Sequence, residues 1–296
     1  MSHIMQKDLY NYCKIPYNEL ENHPDLKVRF RLVKDSEEMG KIMAEELLAL
    51  IKKNNVMAWQ TRAIIPCGPS CWYKPFTDLV NTEKVSLNNF VVFHMDECLD
   101  WQGRPLPKNH PYNFKHEMEK RFYDPVDPEF RVPEPNRIWI LPQNIDEIRE
   151  KIHSAPIDLT YGGWGQDGHI AYNQARRHPF SRITLDELKN STVRIQENNL
   201  DTIIALAERT FGTAYQFVPP MSVTLGVKEC LSARTIRVFS DTGAWKQTAL
   251  RVALFGPVTP EYPLTLLQEH RDALITATLD TARHPISEHP EWDLGV

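Results

Sequence analysis

Two spacings of apolar residues alternate along this chain, and together they predict its elements. Val28, Phe30 and Leu32 are separated by arginines, the period-two pattern of a half-exposed strand. Asp35 and Glu38 then form a capping-box-like pair with Asp in the cap role. Met39, Ile42, Met43, Leu47, Leu50 and Ile51 follow at helical spacing. The run RAIIP (62–66) leads into the turn CGPS and an apolar helix pattern to about residue 80. NFVVFHM (89–95) is apolar almost throughout, as a parallel strand covered on both faces should be. Similar short runs recur at RIWIL (137–141), IDLTY (157–161), TIRVF (235–239) and ALITATL (273–279), with helix-length segments between most of them. This alternation predicts an α/β, Rossmann-like domain with a mainly parallel open sheet and helices on both faces. The domain is expected over 26–296. Residues 1–25, weakly periodic, are expected as an N-terminal extension packed on the outside, and the polar stretch 174–200 as a mobile segment.

Composition narrows the class. With 42% hydrophobic and 25% charged residues among 296, the chain can form a core and is not expected to be disordered. No stretch of about 18 apolar residues occurs, so no membrane span is expected. The net charge is −5 and no basic run stands out, which argues against nucleic acid as a partner. Five cysteines, an odd number, and an N-terminus without an apolar signal core fit a reducing cytoplasm better than a disulfide framework. Twelve glycines make up roughly 4% of the chain, against about 7% in average usage, and Gly162, Gly163, Gly165 and Gly168 fall within seven residues. The backbone there is expected to turn sharply or admit a ligand closely.

In open α/β sheets, ligands bind beyond the carboxyl ends of the strands. CGPS (67–70), MDE (95–97) and GGWGQDGH (162–169) all lie there. A carboxylate at such a crevice, Asp96 or Glu97, can move protons on a substrate, although a turn or cap acid is the bland alternative. His169 beside Asp167 makes an acid–base pair suited to neutral pH, with a histidine capping a helix in a tight turn as the lesser alternative. Cys67-x3-Cys71 and His94-x3-Cys98 lie within zinc-ligand spacing, with buried unpaired thiols as the alternative.

MDE (95–97) and GGWGQDGHIAYN (162–173) resemble the two signatures of the glucosamine-6-phosphate deaminase (isomerase) family. The resemblance continues in NHPYNFKHEM (109–118), VTLGVKECLSARTIRVFS (223–240) and Lys246, and covers roughly 28 to 283. The DGH triplet is shared with the related 6-phosphogluconolactonases, whereas the HIAYN continuation is deaminase-like. The resemblance implies chemistry without a cofactor or catalytic metal, on a small-molecule sugar phosphate. His169, oriented by Asp167, would assist opening of the pyranose ring. Asp96 would carry the proton from C2 to C1, and hydrolysis of the ketose imine would give fructose 6-phosphate and ammonia. Glu97 would support the site and Gly163 would allow close approach. The phosphate would sit at Gly68 and Ser70, with charge from Lys246 and Arg209. Self-association is compatible with the sequence, as is either amino-sugar epimer.

Three positions depart from the family pattern. Gln174, counted with Asp96, Asp167 and His169 in the catalytic group, stands where a glutamate is usual; it can still hydrogen-bond to the histidine or bridge through water but cannot stabilise an imidazolium by charge. Gly68-Pro69-Ser70 replaces two glycines before a hydroxyl residue, removing one N–H donor from the phosphate turn. Trp164 is bulkier than the aliphatic residue expected. These departures leave two rivals beside the deaminase reading: lactone hydrolysis, and a catalytically weak sugar-phosphate sensor.

Overall fold

A computed structural model describes residues 4–175 and 182–296. The strands are β1 (Arg29–Val33), β2 (Thr61–Ile65), β3 (Phe90–His94), β4 (Asp96–Leu99), β5 (Arg137–Ile138), β6 (Leu159–Gly162), β7 (Arg194–Glu197), β8 (Met221–Thr224), β9 (Thr235–Ser240) and β10 (Ala273–Thr278). Seven of them form one sheet in the order β1-β10-β9-β6-β2-β3-β5, every neighbouring pair parallel. Helices cover it: α1 (Gln6–Lys14), α2 (Ser36–Val56), α3 (Tyr73–Glu83), α4 (Phe114–Met118), α5 (Ile145–His153), α6 (Leu185–Lys189), α7 (Leu200–Phe211), α8 (Val227–Cys230) and α9 (Gln247–Phe255).

Side chains alternate across a strand, and here both faces are buried. Ala63 and Ile65 of β2 join Val92, Leu159 and Phe239 in one core, while Ile64 joins Phe93, Ile236 and Ile275 in the other. The Asp35 carboxylate accepts the N–H groups of Glu37 and Glu38, and Glu38 accepts from Lys34 N, so the expected cap of α2 forms one residue displaced from a standard box. Residues 6–14 form a helix whose Cys13 is buried, and Leu20 reaches the main core.

A second sheet, absent from the sequence expectation, holds β4, β8 and β7 as antiparallel neighbours. It changes the picture at residue 96: the chain leaves the parallel sheet at His94, and Asp96 opens a new strand instead of ending β3. Within the stretch expected to be mobile, 176–181 lie outside the described residues. The rest supplies α6, and β7 of this second sheet. No helix among the described residues is long and apolar enough to cross a membrane.

Candidate active site

From β2 the chain builds outward through β3 and β5, whereas β6, β9 and β10 lie on the other side of β2. The strand order therefore reverses between β2 and β6, and a crevice opens at their carboxyl ends. A cavity of about 460 Å³ lies there. Its walls come from the turn after β2, the start of β4, the turn after β6, α7 and the turn after β9. Gly68, Ser70, Asp96, Gly163, His169, Arg209 and Lys246 all line it.

The turn after β2 is anchored by Trp72. This side chain is fully buried and meets Tyr73, Phe76, Phe122 and Tyr161 edge to face. Gly68 adopts φ +122°, which glycine alone reaches readily, and the turn packs against Gly163 on the catalytic side. Ser70 thus stands at the cavity wall three residues before α3 begins.

Strand alternation separates the two acids of MDE. Asp96 opens onto the cavity, paired across the ladder with Thr224. Burial raises its carboxyl to about 7, the neighbouring Glu97 charge adds to the rise, and His169 opposes it. Glu97 points the other way and does not line this cavity, so it supports the site from behind and does not touch what the cavity holds. Its carboxylate accepts the N–H groups of Cys98, Phe114 and Lys115 at 3.0, 2.9 and 2.7 Å and so holds the start of α4. Burial raises Glu97 to about 7, against the pull of those three donors.

The turn after β6 presents His169. Asp167 is buried behind it, with Oδ1 2.6 Å from Nδ1, so the ring donates to the carboxylate and keeps Nε2 for the cavity. The ring stacks on Tyr172 at 5.8 Å and 15°. It also lies flat against Gly165, where a Cβ would stand 2.1 Å from Cε1.

Gln174 reaches both His169 and the start of α7. Its Oε1 accepts Asn199 N–H at 2.8 Å, and because a backbone N–H only donates, this contact fixes the amide orientation. Nε2 donates to the Thr202 hydroxyl and lies 3.5 Å from Nδ1 of His169. Nδ1 already donates to Asp167, so the long amide contact orients the ring little. The strong bonds of Gln174 go to the first turn of α7, the helix that carries Thr202, Leu206 and Arg209 into the cavity.

Two cations also line the cavity, with Asp241 beside one of them. Arg209 reaches it from α7 and Lys246 from the turn Ala244–Lys246 after β9. Burial lowers the Lys246 ammonium to about 7, helped by the Arg209 charge and opposed by Asp241. Trp164 is buried in the core and also forms part of the wall.

The four residues of the zinc alternative do not converge. His94 pairs through Nε2 with Tyr123 Oη at 2.9 Å and stacks on Trp139, and Cys98 Sγ contacts Tyr172 Oη at 3.3 Å. Burial and then the Asp241 carboxylate hold Cys71 up at about 12. Among the described residues, no group of three His, Cys, Asp or Glu is placed to hold a metal ion.

Sequence reasoning passed over Tyr112, Tyr172, Thr202 and Trp245, all of which line the cavity. Tyr112 and Tyr172 lie inside the quoted motifs, and Trp245 adjoins Lys246. Thr202 carries no local signal, since only the docking of α7 brings it in.

Fold and cavity define a class: an open-sheet α/β protein with two titratable acids, a histidine and two cations gathered at one topological switch point. No protein-family model matches the sequence. Curated relatives do. The chain is 31% identical over 250 residues to a glucosamine-6-phosphate deaminase of Parabacteroides distasonis, covering 81% of this chain and 84% of the relative. It is 34% identical over 221 residues to that of Pasteurella multocida, covering 71% and 74%. The chain belongs to the glucosamine-6-phosphate deaminase family. Among solved structures, a monomeric glucosamine-6-phosphate deaminase superposes with a TM-score of 0.68 at 22% identity, over 86% of this chain and 98% of that one. A 6-phosphogluconolactonase from Thermotoga maritima superposes at 0.57 with 15% identity, over 84% and 98%. These likenesses establish the shared fold.

Proposed function

We propose that this protein isomerises and deaminates glucosamine 6-phosphate, giving fructose 6-phosphate and ammonia. The observation that carries the reading is one cavity lined by Asp96 and the Asp167-held His169 together with Arg209 and Lys246. A sugar phosphate fits that lining with its phosphate among Ser70, Arg209 and Lys246 and its C1–C2 end beside Asp96.

The residue types suit each step. His169, with Nδ1 held by Asp167, moves a proton at the ring oxygen through Nε2 as the pyranose opens. Asp96 then takes the C2 proton, leaving an enolamine, and returns a proton to C1. Water attacks the resulting 2-imine and ammonia departs. Raised to about 7, Asp96 is a strong enough base for a carbon acid and still easily protonated for the return step. Gly68, Ser70 and Gly163 shape the floor, and Gln174 acts by holding α7.

Ammonia release from glucosamine 6-phosphate tests the reading, with Asp96→Asn as the control. The variant is expected to lose about 10³-fold or more in kcat while still binding the sugar phosphate. Asp96→Asn at wild-type rate would overturn the assignment. Binding without ammonia release in the wild type would move the protein to the sensor reading.

A further inference from the structure

Trp245 has no part in the proton transfers, yet it touches both cations of the cavity. Its Nε1 donates to the Thr242 carbonyl at 2.9 Å, which fixes the ring in its turn. The Arg209 guanidinium carbon lies 4.4 Å from the ring centre and Lys246 Nζ lies 4.7 Å from it. A second indole, Trp164, stands 5.7 Å from Nζ and donates to the Lys246 carbonyl at 3.3 Å. Among the described residues, neither Arg209 nor Lys246 forms an ion pair.

Two like charges on one ring repel, and the negative face of the indole offsets part of that repulsion. The cations come from different elements, α7 and the β9 turn, and Trp245 is the surface on which they meet. The outward N–H groups of such a pair suit an anion, and Asp241 on the same cavity is the carboxylate that already acts on Lys246. The turn after β2, which also lines the cavity, offers one donor fewer for a bound anion, because Pro69 has no N–H.

We propose that Trp245 is a positioning residue for the substrate phosphate: its indole holds Arg209 and Lys246 as a preformed two-cation clamp, which offsets the donor missing at Pro69. The proposal deepens the deaminase reading and rests on it for the identity of the anion. It also gives the bulky Trp164 a use, as the second wall that steers the lysine onto Trp245.

The test uses the full chain with Trp245→Leu, which fills the space without a π face, and Trp245→Phe, which keeps one. Each is titrated calorimetrically with inorganic phosphate and assayed with glucosamine 6-phosphate. Trp245→Leu should weaken phosphate binding about tenfold and raise KM by a similar factor, with kcat within about threefold of wild type. Trp245→Phe should recover most of that loss. In an Arg209→Met background the same Leu change should matter far less, because the clamp is already broken.

Trp245→Leu that binds phosphate as tightly as wild type, or that lowers kcat at unchanged KM, overturns the proposal. Should the Leu variant not fold, Arg209→Met decides: unchanged phosphate affinity overturns the clamp. The two readings fail separately. Wild type that binds phosphate through Trp245 but releases no ammonia would sink the deaminase reading and support the clamp. Ammonia release at equal rates from glucosamine and its 6-phosphate would do the reverse.

Discussion

The imidazole of His169 owes its position to one missing methyl group. It lies against Gly165 so closely that an alanine Cβ would stand 2.1 Å from Cε1 and 2.4 Å from Nδ1, distances no packed atoms tolerate. Gly165→Ala must therefore push the ring off the Asp167 carboxylate, and a displacement of about 1 Å at such a group costs on the order of 10²-fold in rate. We expect kcat for ammonia release to fall by about that factor while the thermal midpoint moves only a few degrees. Wild-type kcat in the variant would show that ring and turn are not coupled. This residue was legible in advance as part of a glycine cluster, and so were Asp96 and His169, because their chemistry is written in short strand-end motifs. Glu97 was not. Period-two alternation places its carboxylate on the opposite side from that of Asp96, but which of the two faces the cavity depends on where β3 ends and β4 begins.

At the scale of elements, the parallel strands were readable because burial on both faces makes each a continuous apolar run. The antiparallel sheet was not, since β4, β7 and β8 are four residues each, partly polar, and joined by pairings between distant segments. The same holds for α7. Among its residues only Thr202 and Ala207 are buried, and Leu200 and Ile204 stand 68% and 47% exposed, so packing alone holds it loosely. Gln174 supplies a clip through Asn199 N–H and the Thr202 hydroxyl. Gln174→Ala should let the helix shift and raise KM for the sugar phosphate about tenfold, with kcat less affected. Gln174→Glu keeps the acceptor for Asn199 N–H, and the Thr202 hydroxyl can turn to donate to the second oxygen, so KM should stay near wild type. Steady-state kinetics of the pair decides: a kcat loss in the alanine variant without a KM change would return Gln174 to the acid–base machinery.

For the whole molecule, the site draws on stability at the pH where it works. Asp96 and Glu97 are raised to about 7 from ordinary values of 3.8 and 4.5, so between about pH 4 and 7 the folded chain binds more protons than the unfolded one. Their contribution to stability is therefore full below that window and is lost as pH rises through 7. Lys246 is lowered from 10.5 to about 7, so between those values the unfolded chain binds more protons, and stability grows as pH rises above 7. The two effects leave a minimum near pH 7. That is also where Asp96 begins to be a base while Lys246 still carries charge for the phosphate, so kcat/KM should follow a narrow bell centred there. Lys246→Arg, whose guanidinium stays charged, should extend the alkaline limb upward. The stability dip has its own check. In Asp96→Asn/Lys246→Met two of the three titrations are gone, and Glu97 alone remains. Its gain in thermal midpoint over wild type should be larger at pH 7 than at pH 5 or pH 9. A gain of equal size at all three would mean that burial of these groups, and not their ionisation, sets the cost.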